Sequence, residues 1–167
     1  MTQYFGKYRG SVINNIDPMQ IGRLQVMVPD VLGPSISSWA MPCVPLAGPQ
    51  MGTYFVPLIG AGVWVEFEGG DPDYPIWTGG FWGSAAEVPP LALAGLPTSP
   101  NIVLQTSGQN SLLVSDLPGT GGIVLKAAAG AMIMINETGI TISNGQGAMI
   151  TLTGPTVNIN QGALTIT

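Results

Sequence analysis

"GIVLKAAAGAMIMINETGITISNGQGAMITLTGPTVNIN", residues 122–160, repeats itself. GIVLK begins at Gly122, GITIS at Gly139 and TVNIN at Thr156, a step of 17 residues each time. A second register keeps the same step of 17, with GAMIMI at Gly130 and GAMITL at Gly147. Each step holds two short runs in which residues alternate. Ile140 and Ile142 alternate with Thr141 and Ser143, and Ile150 and Leu152 with Thr151 and Thr153. Val157 and Ile159 alternate with Asn158 and Asn160. A period of two is the mark of a strand covered on one face. Each unit is therefore two strands and two turns, and repeats of this length stack.

Carried through, the pattern predicts one aliphatic face made by Ile123, Leu125, Ile133, Ile135, Ile140, Ile142, Ile150, Leu152, Val157, Ile159, Leu164 and Ile166. NSLLVS, ahead of DLPGTGGIVLK, reads as an earlier and looser copy. The strands are short, and no aromatic residue follows Pro89 to fill a core. Several identical chains laying their aliphatic faces on a common axis would cover that face, and three would build a triangular β-prism. Closure of that kind also protects sheet edges. A single-chain β-solenoid is the second reading, but 17 residues offer too few apolar positions for about three faces per coil.

Upstream the grammar changes. All four tryptophans, four tyrosines and four phenylalanines precede Pro89, and the Pro-rich EVPPLALAGLPTSP marks a junction. The reading is residues 1–88 as one domain, 89–100 as a linker and 101–167 as a repetitive needle. In the first half, Leu24, Val26 and Val28 share one strand face, opposite Gln25 and Met27. Val63, Val65 and Phe67 share another, opposite Trp64, Glu66 and Glu68. GGDPD is a dense turn signal, which puts Asp71 and Asp73 in a hairpin turn. Short strands with long Pro/Gly connections suit an OB-like barrel. The fold class expected is all-β: an OB-fold barrel, then an intertwined trimeric β-helix or β-prism.

Charge and composition exclude most chemistry. Charged residues make up 8% of the 167-residue chain, against about 25% in an ordinary domain, so other subunits are expected to cover much of the surface. Four cations against nine acids give a net charge of −5, the wrong balance for neutralising phosphates, so no nucleic acid is expected. There is no histidine, and Asp116, Lys126 and Glu137 are the only charged residues after Glu87 and lie in different units. The chain is read as not an enzyme, with no catalytic residue, no metal site and no cofactor. Glu66, Glu68, Asp71 and Asp73 lack the spacing of a calcium loop. Cys43, alone in AMPCVPLAG, is expected to be a buried structural thiol. No apolar run reaches the ~20 residues of a spanning helix. The N-terminus lacks the features of a signal peptide, so synthesis in the cytoplasm is expected.

At this point a family comes into view. FGKYRGSVINNIDPMQIGRLQVMVPDVLG, WAMPCVPLAG, GVWVEFEGGDPDYPIWTGGFWG and SGQNSLLVSDLPGTGGIVLKAAAG resemble the central spike of contractile injection machines. That family includes phage baseplate assembly protein V, the gp5-like OB-domain tail spike and the valine-glycine repeat proteins of type VI secretion. The resemblance covers nearly the whole chain and rests most on N-N-x-D-P, G-R-L-Q-V and G-D-P-D-x-P-I-W-x-G. It implies an OB domain, then a homotrimeric β-helix at the centre of a baseplate, below the tail tube. It makes DPDYPIW an architectural hairpin. The short junction leaves no room for the lysozyme domain some members insert. The absence of histidine removes the tip iron site of others.

The function expected is a structural, membrane-puncturing spike of a phage tail or bacterial injection particle. A trimeric fibre or carbohydrate-binding adhesin is the alternative. Expected partners are two further copies, tail tube or hub and baseplate proteins, and, transiently, the target membrane. A PAAR-type tip protein is expected to cap the blunt prism at Leu164, Thr165, Ile166 and Thr167, because stacked repeats need a polar cap.

Overall fold

The computed structural model describes residues 2–166, with Thr165 by its backbone alone. The chain divides into two compact units between Ala85 and Ala86. No helix among the described residues is long and apolar enough to cross a membrane.

The first unit is a curled sheet in the order β2-β1-β6-β7-β3. Its strands are β1 (Tyr8–Asn14), β2 (Gln25–Met27), β3 (Met41–Pro42), β6 (Gly62–Phe67) and β7 (Pro75–Phe81). A short helix, α1 (Pro29–Leu32), follows β2, and a small ribbon of β4 (Ala47–Gly48) and β5 (Met51–Gly52) follows β3. The segment after α1 closes the curl. Met27 bridges to Ile36 and Leu24 to Ala40, and the chain then runs into β3, which pairs in parallel with β7. The result is OB-like, with both edges of the five-stranded sheet joined through residues 36–42.

The interior is what the alternation calls for. Leu24, Val26, Val28, Val63 and Val65 are fully buried, with Val12, Ala40, Phe67 and Trp77 around them. Trp77 donates its indole N–H to the Gly22 carbonyl at 3.0 Å, so the largest core side chain leaves no polar atom unpaired. Tyr4 and Tyr8 pack on Phe67 at ring distances of 6.3 and 5.8 Å.

The apolar stretch between Met41 and Ile59 does not go inside. Leu46, Met51, Tyr54, Phe55, Leu58 and Ile59 are all exposed. Cys43 is exposed too, which corrects the expectation of a buried thiol. Its backbone N–H donates to the Trp77 carbonyl at 2.9 Å, but that pairing holds the chain at the rim of the barrel, and the side chain points out. Apolar neighbours in sequence do not make an interior when the segment runs along a surface.

The second unit is an eight-stranded antiparallel meander, each strand paired with the next from β8 to β15. The strands are β8 (Ile102–Gln105), β9 (Ser111–Ser115), β10 (Gly122–Lys126), β11 (Met132–Asn136), β12 (Gly139–Ser143), β13 (Met149–Thr153), β14 (Thr156–Ile159) and β15 (Leu164–Ile166). A helical turn, α2 (Pro90–Leu93), precedes β8. Successive strands run antiparallel and lie in one sheet, so the chain is not a solenoid of parallel coils. The segment read as a plain linker has structure of its own. Asn101 donates its amide to the Leu91 carbonyl at 2.7 Å, and Ser99 donates to the Asp116 carboxylate at 2.6 Å.

Candidate functional site: the trimerisation face

Register decides which side chains meet. Ile123 faces Ile135, which faces Ile140, then Leu152, Val157 and Ile166. Beside this column runs another: Leu125, Ile133, Ile142, Ile150, Ile159 and Leu164. All twelve side chains read from the repeat as one face are thus brought together in two columns. Both columns continue into strands that the 17-residue step does not reach. Val114 and Ile102 extend the first, and Leu112 and Leu104 the second. The alternation of Ile102 with Leu104 and of Leu112 with Val114 was the available signal. It was masked because the turn before Gly122 is longer than its later counterparts.

The face is open in the single chain. Ile102 is 67% exposed, Ile142 42% and Ile166 57%. Eight strands at about 4.8 Å make a strip roughly 34 Å long with no charged side chain along either column. Contiguous apolar surface on that scale marks an interface.

The turns that hold the strip use asparagine rather than charge. Asn136 accepts from the Thr138 N–H at 2.9 Å, and Asn144 from Gln146 and Ala148 at 2.8 and 3.1 Å. Asn110 and Asn160 reach across to the N–H groups of Ala128 and Met149, both at 3.1 Å, tying one turn to another. Asx turns of this kind satisfy the backbone locally and leave the strand faces free. Of the four residues read as a tip contact, Leu164, Thr165 and Ile166 lie in β15, and Thr167 is outside the described residues.

In the first unit the acidic stretch is a corner. Glu66 pairs with Lys7 at 2.7 Å on an exposed face, and Lys7 also donates to Thr78 at 3.0 Å. Asp71 accepts from the Asp73 N–H at 3.0 Å, and the backbone N–H groups of Glu68, Asp71 and Tyr74 close the turn. Among the described residues no three acids, cysteines or histidines gather as metal ligands would. Replacing Asp71 and Asp73 together by Asn is expected to leave the metal content of the purified protein unchanged by elemental analysis. It should shift the melting temperature by no more than a few degrees, in keeping with about 1 kcal/mol for lost turn hydrogen bonds.

The acid that matters structurally is Asp17, in NNIDP. Its carboxylate receives the backbone N–H groups of Met19, Ile21 and Arg23 at 3.0, 3.0 and 3.2 Å, and the Arg23 guanidinium twice, at 3.0 and 2.7 Å. Arg23 is stacked on Trp39, 5.3 Å from the ring centre. Asn14 and Asn15 fasten the same loop, to Gln25 at 3.1 Å and to the Pro57 carbonyl at 3.0 Å. The Arg23 guanidinium, helped by the three backbone donors and opposed by burial, holds Asp17 well below the usual carboxylate range. The unfolded chain, with an ordinary pKa of 3.8, therefore takes up this proton first. The contribution is fully present above about pH 5 and declines as pH falls through the unfolded value toward the depressed folded one. Asp17→Asn is expected to lower the first unit's melting temperature at neutral pH and to flatten its loss of stability in acid. A pH series of thermal melts on both proteins checks this.

Both units match known families. Residues 8–82 match the type VI secretion system/phage-baseplate injector OB domain. Residues 101–165 match the phage baseplate V C-terminal trimerisation domain.

The chain belongs to the phage baseplate V family.

A phage baseplate V protein forms a homotrimer, and its place is in a phage or injection baseplate. The trimerisation match runs from β8 into β15, and so takes in the two strands ahead of the 17-residue step. The OB match covers the Asp17–Arg23 clamp and the acidic hairpin, so in this baseplate V chain both lie within the OB domain. No curated protein matches the chain.

Proposed function

We propose that this baseplate V trimer is the central spike of a contractile, phage-tail-like injection machine, driven through a target envelope when the sheath contracts. The observation that carries the proposal is the pair of unbroken aliphatic columns. Three copies with these columns on one axis make a slender prism with a dry core and no site that can be deformed. Every interior strand of the meander is paired on both sides, which suits a part loaded along its length. The other face of β12–β14 carries Thr141, Ser143, Thr151 and Asn158, which lets the shaft meet water without charge.

The partners follow from the surfaces. The exposed apolar zone of the first unit, with Leu46, Met51, Tyr54, Phe55, Leu58 and Ile59, suits a large uncharged contact with tube, hub or baseplate proteins. β15 is an edge strand of the meander, and in this reading a tip protein of the PAAR type on Leu164 to Thr167 covers it. With no gathering of acids, cysteines or histidines among the described residues and a net charge of −5, the spike in this reading acts mechanically, without catalysis and without binding nucleic acid.

The test of the spike is direct. Assembled particles carrying the intact chain should release dye from target-membrane vesicles on contraction. Particles whose spike lacks residues 101–167 should contract without release. Equal release from both would sink the puncturing role. For the tip, deleting residues 162–167 is expected to remove the tip protein from particles while the OB unit stays in the baseplate, read by mass spectrometry of purified particles. Retention of the tip protein would place its contact elsewhere.

A further inference from the structure

Behind the aliphatic columns, the other face of the meander changes character halfway along. Val103, Leu113, Val124 and Met134 are register partners and form a row across β8–β11. The same row continues as Thr141, Thr151 and Asn158. IVLQ, SLLVS, GIVLK and MIMIN therefore each set one central apolar side chain on this face too, between polar neighbours such as Gln105, Ser111 and Lys126, where GITIS, MITLT and TVNI set Thr or Asn. Adjacent apolar side chains on a sheet face gain from being covered. The first half of the meander gains from a second cover and the second half does not.

The same unit carries a surface that fits. The segment before β8 has no charge after Glu87, and its Leu93 and Leu96 are 64% and 41% exposed. It is held at the level of β8, where the row begins, by Asn101 on the Leu91 carbonyl and Ser99 on Asp116. A threefold ring closes through heterologous contacts, which need two different surfaces on every copy. An apolar strap with open leucines and a half-buried apolar row are such a pair, the row lying on the back of the wall whose front the trimer uses.

We propose that in the trimer the Pro90–Leu96 strap of each protomer lies across the Val103–Met134 row of its neighbour, with Leu93 and Leu96 seated on it. The first half of the prism is then covered inside by the axis and outside by a belt of three straps. This rests on the aliphatic columns lining the axis. It gives the segment that opens the second unit a task of its own, which is to lock neighbouring walls together where the meander starts.

The test uses the purified full-length protein in a Cys43→Ser background, oxidised with copper phenanthroline. Leu93→Cys combined with Val124→Cys is expected to link each chain to the next and give a covalent trimer on a denaturing gel. Leu93→Cys with Thr151→Cys should give none. A link confined to one chain, or no link, in protein that still sediments as a trimer overturns the strap and leaves the axis reading untouched. If the Val124 pair does not assemble, Leu96→Cys with Leu113→Cys is read in the same way. As a measurement without cysteines, Val124→Lys should lower the melting temperature of the trimer clearly more than Thr151→Lys on the same face. Equal shifts also overturn the proposal. The axis reading fails separately, if Ile142→Asp remains a trimer.

Discussion

Ile142→Asp should leave the chain unable to assemble. Ile142 stands between Ile133 and Ile150 in the second aliphatic column, near the middle of the eight strands. In one chain the position is 42% exposed, so the substitution does little to the isolated sheet. With the columns on the trimer axis, as proposed, each copy brings its own carboxylate there. Three carboxylates then lie close together in an apolar core with no cation to pair with, each costing several kcal/mol. The carboxyls can avoid ionisation only by protonating, so some assembly should return below about pH 5. Sedimentation equilibrium at neutral pH should show monomer for Ile142→Asp and trimer for the native chain. Thr141→Asp, one residue away on the opposite face, should remain trimeric. Equal behaviour of the two variants would show that the columns do not line the axis.

Gly139→Ala should be almost as damaging, through the backbone. Gly139 opens β12 with φ +140, and a Cβ there would fall on the Leu152 carbonyl oxygen of the neighbouring strand. Gly122, one repeat earlier, has φ +115 and would collide in the same way with the Ile135 carbonyl. Neither neighbour is a flexible side-chain end, so relief requires the ladder to separate. A cost of about 3 kcal/mol or more per chain is expected, on the scale of strained backbone combined with lost strand pairing. Three chains share the defect, so it should appear as a large drop in the melting temperature of the trimer. Gly154→Asn is the contrast. Its φ is +54 with no atom close to the added Cβ, and asparagine enters that region readily, so the melt should shift little.

The glycines also show where reading the repeat reaches its limit. The phase that gives Gly122 and Gly139 gives Thr156 next, and Thr156 is not among the residues with positive φ. Sequence periodicity finds the unit; it does not say which copies need a glycine, because that depends on what lies over each position. Cys43 makes the same point. Its apolar neighbours suggested burial, and the rim of the barrel put it in solvent. Strand β8 lies outside the repeat, and β9 is legible only as a looser copy with no side chain assigned to the face, for a related reason. Their place on the face follows from register with β10, and a long turn breaks the spacing that would have announced it.

What the sequence determined by itself was local and periodic. The alternation of Leu24, Val26 and Val28, and of Val63, Val65 and Phe67, fixed which sides of the barrel strands turn inward, because successive residues of a strand must point to opposite faces. The 17-residue step fixed the strands and turns of the meander. GGDPD fixed the acidic corner. The tertiary structure decided everything that joins distant residues. It closed the barrel through residues 36–42 and made Asp17, an acid the sequence does not single out, the anchor of five hydrogen bonds. It also aligned Val103, Leu113, Val124 and Met134 into a second apolar row. The physical reason is that a side chain's direction is set by its own backbone, while its burial and its partners are set by chain that returns from elsewhere, and no local pattern records that return.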